Sequence, residues 1–223
     1  MSMLSLKSRC TIATTCRKDR FPLINWLKPG WPGKTAFHFQ RHCSVSILCT
    51  DIVSFSQKLA CLSLPGQAEM ARDITRHYYP LLNRIVRSHS GQVDKFLGDG
   101  MLAVFHQADH AVNAAVALRQ AVAEFNRVRC AGNLSVFPTR FAVHHGDVFV
   151  MGLRWSPLNS LTYLGEAVNT AAYLADLVPP GRVFISANTL GLLSGQQASR
   201  LWKTVPDKGT HSPLDIYEIV DCA

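Results

Sequence analysis

Two short strand-like segments, Gln92–Leu97 and Met101–Phe105, are separated by Gly98-Asp99-Gly100 alone. A connection that tight, with glycine on both sides of an aspartate, joins antiparallel neighbours, so the segment reads as a β-hairpin. Its flanks narrow the fold. Ahead of it, Ser44–Asp51 is short, apolar and partly β-branched, as a buried strand should be. Between them, about Gln67 to Ser88, Met70, Ile74, Leu81 and Ile85 are spaced for one buried helical face, and Pro80 should interrupt that helix. After the hairpin, Asp109 is placed to N-cap an alanine- and valine-rich helix reaching about Arg127. Strands are expected at Thr139–His145 and Val148–Gly152, split by Gly146-Asp147. A helix over Gly165–Leu177 is stopped by Pro179-Pro180-Gly181, and late strands follow at Arg182–Ser186 and Leu214–Val220. The order β-α-β-β-α-β predicts an α+β fold. It is a ferredoxin-like sandwich with helices on one face of a mostly antiparallel sheet and C-terminal extension strands.

The chain has 223 residues, 48% of them apolar and 17% charged, enough for one well-cored domain plus an extension. Its net charge of +8 suggests nucleic-acid binding until it is divided along the sequence. Residues 1–42 carry eight Lys/Arg and one acidic residue, which leaves 15 basic against 14 acidic residues for 43–223. The basicity belongs to the leader, so no nucleic-acid partner is expected. The leader reads as a targeting segment, a membrane-surface contact, a regulatory tether or simply a loose terminus. The turn-rich Lys28-Pro29-Gly30-Trp31-Pro32-Gly33 separates a 1–42 leader from a 43–220 domain. Seven scattered cysteines without a C-x-x-C pair suggest a reduced, cytoplasmic protein. No run approaches the roughly 18 apolar residues of a membrane span, so membrane contact would be peripheral, through the leader.

Asp51 closes the first predicted strand and Asp99 lies in the hairpin turn. In a β-α-β-β arrangement those strands are neighbours, so the two carboxylates can converge at one edge, where they would want a cation. Oxygen ligands favour magnesium or manganese, and carboxylates that share ions with phosphates are the usual device for phosphoryl or nucleotidyl transfer. Taken singly, either aspartate is an ordinary turn or cap residue.

Four ordered segments now carry more weight than any one of them. They are Cys49-Thr50-Asp51-Ile52-Val53-Ser54-Phe55-Ser56, Asp94-Lys95-Phe96-Leu97-Gly98-Asp99-Gly100, Val143-His144-His145-Gly146-Asp147-Val148 and Gly165-Glu166-Ala167-Val168-Asn169-Thr170-Ala171-Ala172. Together they resemble the class III nucleotidyl cyclase catalytic domain, over about residues 43–220. The resemblance implies an adenylate cyclase that converts ATP to 3′,5′-cyclic AMP and pyrophosphate. It works as a head-to-tail homodimer, or as half of a heterodimer with another cyclase chain, with the nucleotide between subunits and two Mg2+ or Mn2+ ions.

By the same resemblance, Asp51 and Asp99 are the metal aspartates and Ile52 lends its backbone carbonyl to one ion. Lys95 and Thr162 form the purine-reading pair, Asn169 orients the ribose and Lys208 binds the terminal phosphates. A lysine suits adenine, whose ring nitrogen accepts a hydrogen bond where guanine presents a donor. Outside the motif, Lys95 and Thr162 would read as ordinary surface and strand residues. The lysine–threonine pair is also similar to that of bicarbonate-responsive cyclases, which leaves such regulation open.

One position departs from the family. Four residues after the asparagine, one helical turn on, the family has an arginine that stabilises charge on the transferring phosphoryl group; here it is Tyr173. A phenol donates one hydrogen bond and carries no positive charge, and deletion of one transition-state donor costs about 10²–10³-fold in rate in other enzymes. The sequence therefore predicts a slow enzyme, with a catalytically impaired nucleotide-binding regulatory module as the alternative. Arg154, in the loop before Thr162, reads first as a solvated loop residue and otherwise as a source of the missing charge from another direction, although its spacing does not match a family arginine well; neighbouring His144 and His145 should face opposite sides of a strand. A guanylate cyclase is disfavoured by Lys95, and a diguanylate cyclase by the lack of a Gly-Gly-Asp/Glu-Glu-Phe signature.

Overall fold

The computed structural model describes residues 37–153, 160–195, 197–206 and 213–220. The first strand, β1 (Phe37–Ile52), begins ahead of the expected start near Ser44 and is the longest strand among the described residues. A short α1 (Phe55–Ala60), α2 (Leu64–Asp73), a π turn (Ile74–Tyr78) and α3 (Tyr79–Ser88) lead to the hairpin β2 (Gln92–Leu97) and β3 (Gly100–Phe105). Then come α4 (Ala108–Ala131), β4 (Thr139–Leu153), β5 (Ser160–Leu164), α5 (Glu166–Leu177), β6 (Val183–Ser186), α6 (Ala187–Leu190), β7 (Ser199–Pro206) and β8 (Pro213–Ile219). The sheet order is β2-β3-β1-β4-β6-β8-β7, with β5 added on β4. Every pairing is antiparallel except β4 with β6.

Strand alternation divides the core in two. Leu48 and Ile52 of β1 join Met101, Ala103 and Phe105 of β3 beneath α2, α3 and α4. Val45, Ile47 and Cys49 turn the other way, with Leu102 and Val104, toward α5. All of β3 and β6 is buried, which is why both read as unbroken apolar runs rather than as alternating strands. On α4, Ala111, Ala114, Ala115, Leu118 and Val122 recur at helical spacing, and their small side chains seat the helix close to the sheet. Among the described residues no helix is long and apolar enough to cross a membrane.

Four local expectations are corrected. The stretch around Pro80 runs on without a break, because a π turn sits immediately before it. The Tyr79 N–H reaches back five residues to the Ile74 carbonyl, and the wider turn absorbs the hydrogen bond that proline cannot donate. Tyr78, inside that turn, is fully buried and pairs with Thr139 Oγ1 at 2.7 Å. Asp109 does not cap α4, which starts after Gln107; its carboxylate instead accepts from the Ser194 N–H at 3.1 Å and the Ser194 hydroxyl at 2.7 Å. Helices cover both faces of the sheet. Those of the βαββαβ core share one face, whereas α5, which follows the core, packs on the other.

Gly146-Asp147 is not a turn. The residues continue β4 opposite Val45 and Ser44 of the long first strand. Glycine is needed at 146 for another reason, since a Cβ there would lie 2.8 Å from Ala167 Cβ on α5. A valine at this position should therefore push α5 off the sheet. We expect Gly146→Val to lose about 1–3 kcal/mol, the usual cost of overpacking, as a lower urea midpoint; an unchanged midpoint would contradict the close approach.

Candidate active site

The site begins where β1 ends. Asp51 lies one residue before the end of the strand, and the β2–β3 turn brings Asp99 beside it. The backbone N–H of Ile52 donates to Asp99 Oδ2 at 3.1 Å. The approach requires Gly100, where a Cβ would stand 2.8 Å from the Thr50 carbonyl oxygen, and Gly98 takes a left-handed φ of 64° to close the turn. Tyr79 braces the turn from α3. Its hydroxyl donates to the Gly98 carbonyl and its ring stacks on Phe96 at 3.8 Å between centroids.

Partial burial, and next the charge of Asp99, push the Asp51 carboxyl up to about 6. Arg140 opposes this, donating to Asp51 Oδ2 at 3.2 Å. Sequence reading missed this arginine. Its signal is the cross-strand register, in which Arg140 on β4 stands opposite Asp51, and register is not visible before the strands are paired.

The donor set suits a hard divalent cation, because two repelling carboxylates at a half-exposed strand end are short of positive charge. Among the described residues no three His, Cys, Asp or Glu side chains form a group able to hold a metal. A cation held by Asp51 and Asp99 would take its other ligands from backbone, phosphate and water, as magnesium sites on phosphate substrates do.

The strand leading into the Asp99 turn carries Lys95, whose ammonium donates to Thr162 Oγ1 on β5 at 2.8 Å. The pair named from the sequence is therefore in contact, although the two residues are 67 positions apart. Asp94 also approaches the ammonium, its Oδ2 3.0 Å from Lys95 Nζ.

Asn169 is exposed on α5, and Tyr173, one turn further, is partly buried against the core beneath that helix. Ala167, Ala171, Leu174 and Ala175 anchor the opposite side of α5. Lys208 and Arg154 lie outside the described residues. His144 and His145 do face opposite ways: His144 Nδ1 pairs with Ser186 Oγ at 2.8 Å and His145 Nδ1 with Ser46 Oγ at 2.9 Å.

Residues 37–211 match the family described as Adenylate and Guanylate cyclase catalytic domain. Adenylate cyclase 1 of Rhizobium meliloti (strain 1021) is 27% identical over 185 residues, which cover 79% of this chain and 27% of that protein. Putative adenylate cyclase 3 of the same organism is 37% identical over 141 residues, covering 63% of this chain and 22% of its own length. The chain thus spans well under half the length of these relatives. Among solved structures, the adenylyl cyclase CyaB from P. aeruginosa superposes with a TM-score of 0.72 at 21% identity, covering 83% of this chain and 98% of that one. The guanylyl cyclase Cya2 gives 0.68 at 24% identity, covering 80% and 92%. At such identities the shared property is the fold. With the family match extending over most of its length, the chain belongs to the adenylate and guanylate cyclase catalytic domain family.

Proposed function

We propose that this domain is an adenylate cyclase, forming 3′,5′-cyclic AMP and pyrophosphate from ATP. The observation that carries the reading is the Lys95–Thr162 contact on the strand that leads into the Asp51–Asp99 pair. An ammonium anchored on a threonine hydroxyl keeps N–H groups to donate to the acceptor nitrogen of adenine, where guanine would present a donor of its own. Asp51 and Asp99, with the Ile52 carbonyl, would hold two Mg2+ or Mn2+ ions. Such ions polarise the phosphates and lower the pKa of the ribose 3′-hydroxyl.

The protein's own work is to position and to neutralise. Lys95 and Thr162 fix the base, Asn169 orients the ribose, and Lys208 meets the terminal phosphates, so that the 3′-oxygen is in line with the α-phosphorus and pyrophosphate departs opposite. Asn169 is exposed on α5 and would serve a site completed by a second chain, with a homodimer as the proposed working unit. Tyr173 supplies a single hydrogen bond where a cation would do more, and turnover is slow. That residue also favours a second reading, a nucleotide-binding module with little turnover that is completed by an arginine-bearing partner chain.

Cyclic AMP formation by the purified chain with ATP and manganese tests the proposal. We expect slow turnover, lost in Asp99→Ala and raised about tenfold or more in Tyr173→Arg, since a transition-state donor is worth roughly 10²–10³-fold. A mixture of inactive Asp51→Ala and Asn169→Ala chains should recover part of the activity. No turnover at any protein concentration despite bound ATP would favour the second reading, and no recovery in a confirmed heterodimer would refute the shared site.

The carboxylate pair also predicts a pH dependence for the metal-free protein. Asp51 titrates near 6 when folded and near 4 when unfolded, so the folded chain holds the extra proton between those values and stability falls as pH rises through that window. Asp51→Asn lacks this proton. In EDTA, the urea midpoint of the wild type should decline relative to the variant as pH rises from about 4 to about 7; parallel profiles would contradict the raised carboxyl.

A further inference from the structure

Asp94 and Lys95 are consecutive residues of β2, and in a regular strand their side chains would point to opposite faces of the sheet. They do not. The β2–β3 register passes from Val93 opposite Ala103 to Lys95 opposite Leu102, which leaves Asp94 as the extra residue of a β-bulge. A bulge re-aims side chains, and this one brings the Asp94 carboxylate to 3.0 Å from the Lys95 ammonium.

The environments of the two groups differ. The Asp94 side chain is 1% exposed, the Lys95 side chain 32%. The Asp94 carboxylate has the Lys95 ammonium at 3.0 Å and the Tyr163 backbone beside it and no further donor among the described residues, so a buried acid is held here with little besides the lysine to compensate it. Burial raises the Asp94 carboxyl, and Lys95 and the Tyr163 backbone pull against that rise. A buried carboxylate without a dedicated set of donors is costly, so a stabilising role in the core is a poor account of it. Geometry offers a better one. An ammonium has three N–H groups in a fixed tetrahedral relation. With one directed at Thr162 Oγ1 and one facing Asp94, the direction of the third is set.

We propose that Asp94 is a positioning residue of the base site: the bulge turns its buried carboxylate against the Lys95 ammonium, and the lysine, held between Asp94 and Thr162, presents its remaining N–H to the purine in one orientation. The proposal rests on the reading of Lys95 and Thr162 as the base-recognising pair. Asp94 touches no substrate and acts only through Lys95. Without its counter-charge the ammonium is free to swing on Thr162, and the discrimination between adenine and guanine narrows while the triphosphate still binds.

The test is displacement of a fluorescent ATP analogue from the full chain by ATP and by GTP, with manganese present. It reads the ratio of the two dissociation constants and needs no turnover. Lys95→Met should abolish the preference for ATP. Asp94→Asn should narrow it by about tenfold, the scale of one charge-assisted hydrogen bond, and Asp94→Glu should retain it. The Asp94→Asn/Lys95→Met double variant should match Lys95→Met alone, a coupling that a merely structural aspartate would not show. Asp94→Ala replaces Asp94→Asn if the latter does not fold, with the same expectation. A wild-type ratio in the neutral Asp94 variant, beside a lost preference in Lys95→Met, would overturn the proposal and leave the base-site reading standing. A wild-type ratio in Lys95→Met would overturn both.

Discussion

The hydrogen bond from the Ile52 backbone to Asp99 fastens the β2–β3 turn to the end of β1, and the placement of the site follows from it. The bond forms only because Gly100 lets the turn come against the Thr50 carbonyl, and because Tyr79 holds Gly98 from the helical side. Once the turn is fixed, Asp51 and Asp99 are neighbours, and the strand entering the turn has Lys95 set toward β5. β1 takes part in all of this as the strand that pairs with β3 on one side and β4 on the other. The electrostatic cost of the arrangement is partial burial and carboxylate repulsion at Asp51, which Arg140 offsets in part. A site under that tension is built to receive positive charge.

The second half of the proposed site lies on α5. Its inward side is alanine and leucine, and Gly146 allows it to lie unusually close to β4. The close seating fixes the height at which Asn169 and Tyr173 stand above the sheet. Tyr173 is partly buried against the same core. On the proposed reading, what Tyr173 lacks is a charge rather than a scaffold, since α5 itself is intact. Adenylyl and guanylyl cyclases both have this fold, so the fold does not choose the base, and the proposed choice rests on Lys95 and Thr162.

Much of this was legible in the sequence because it is local. Gly98-Asp99-Gly100 announces its own turn, and strand order in a β-α-β-β unit brings Asp51 and Asp99 together without knowledge of register. The rest depends on relations that one sequence does not display. Arg140 matters because it stands across from Asp51, which only strand pairing shows. Gly146-Asp147 has turn composition, but fifteen residues of pairing with β1 outweigh local preference, and the glycine answers to a helix that comes twenty residues later. Pro80 signals a break, yet a π turn accommodates it. Strand alternation alone would place Asp94 away from Lys95; the bulge that reverses this has no sequence signature of its own.

Titration of the protein with Mn2+ in the presence of ATP, followed by electron paramagnetic resonance of the free ion, asks directly whether the carboxylates at the end of β1 and in the β2–β3 turn hold a cation together. The wild type should take up manganese, and Asp51→Asn and Asp99→Asn, each still folded and still binding ATP, should each take up far less. Equal uptake by the wild type and either variant would mean that the carboxylate pair is not the metal site.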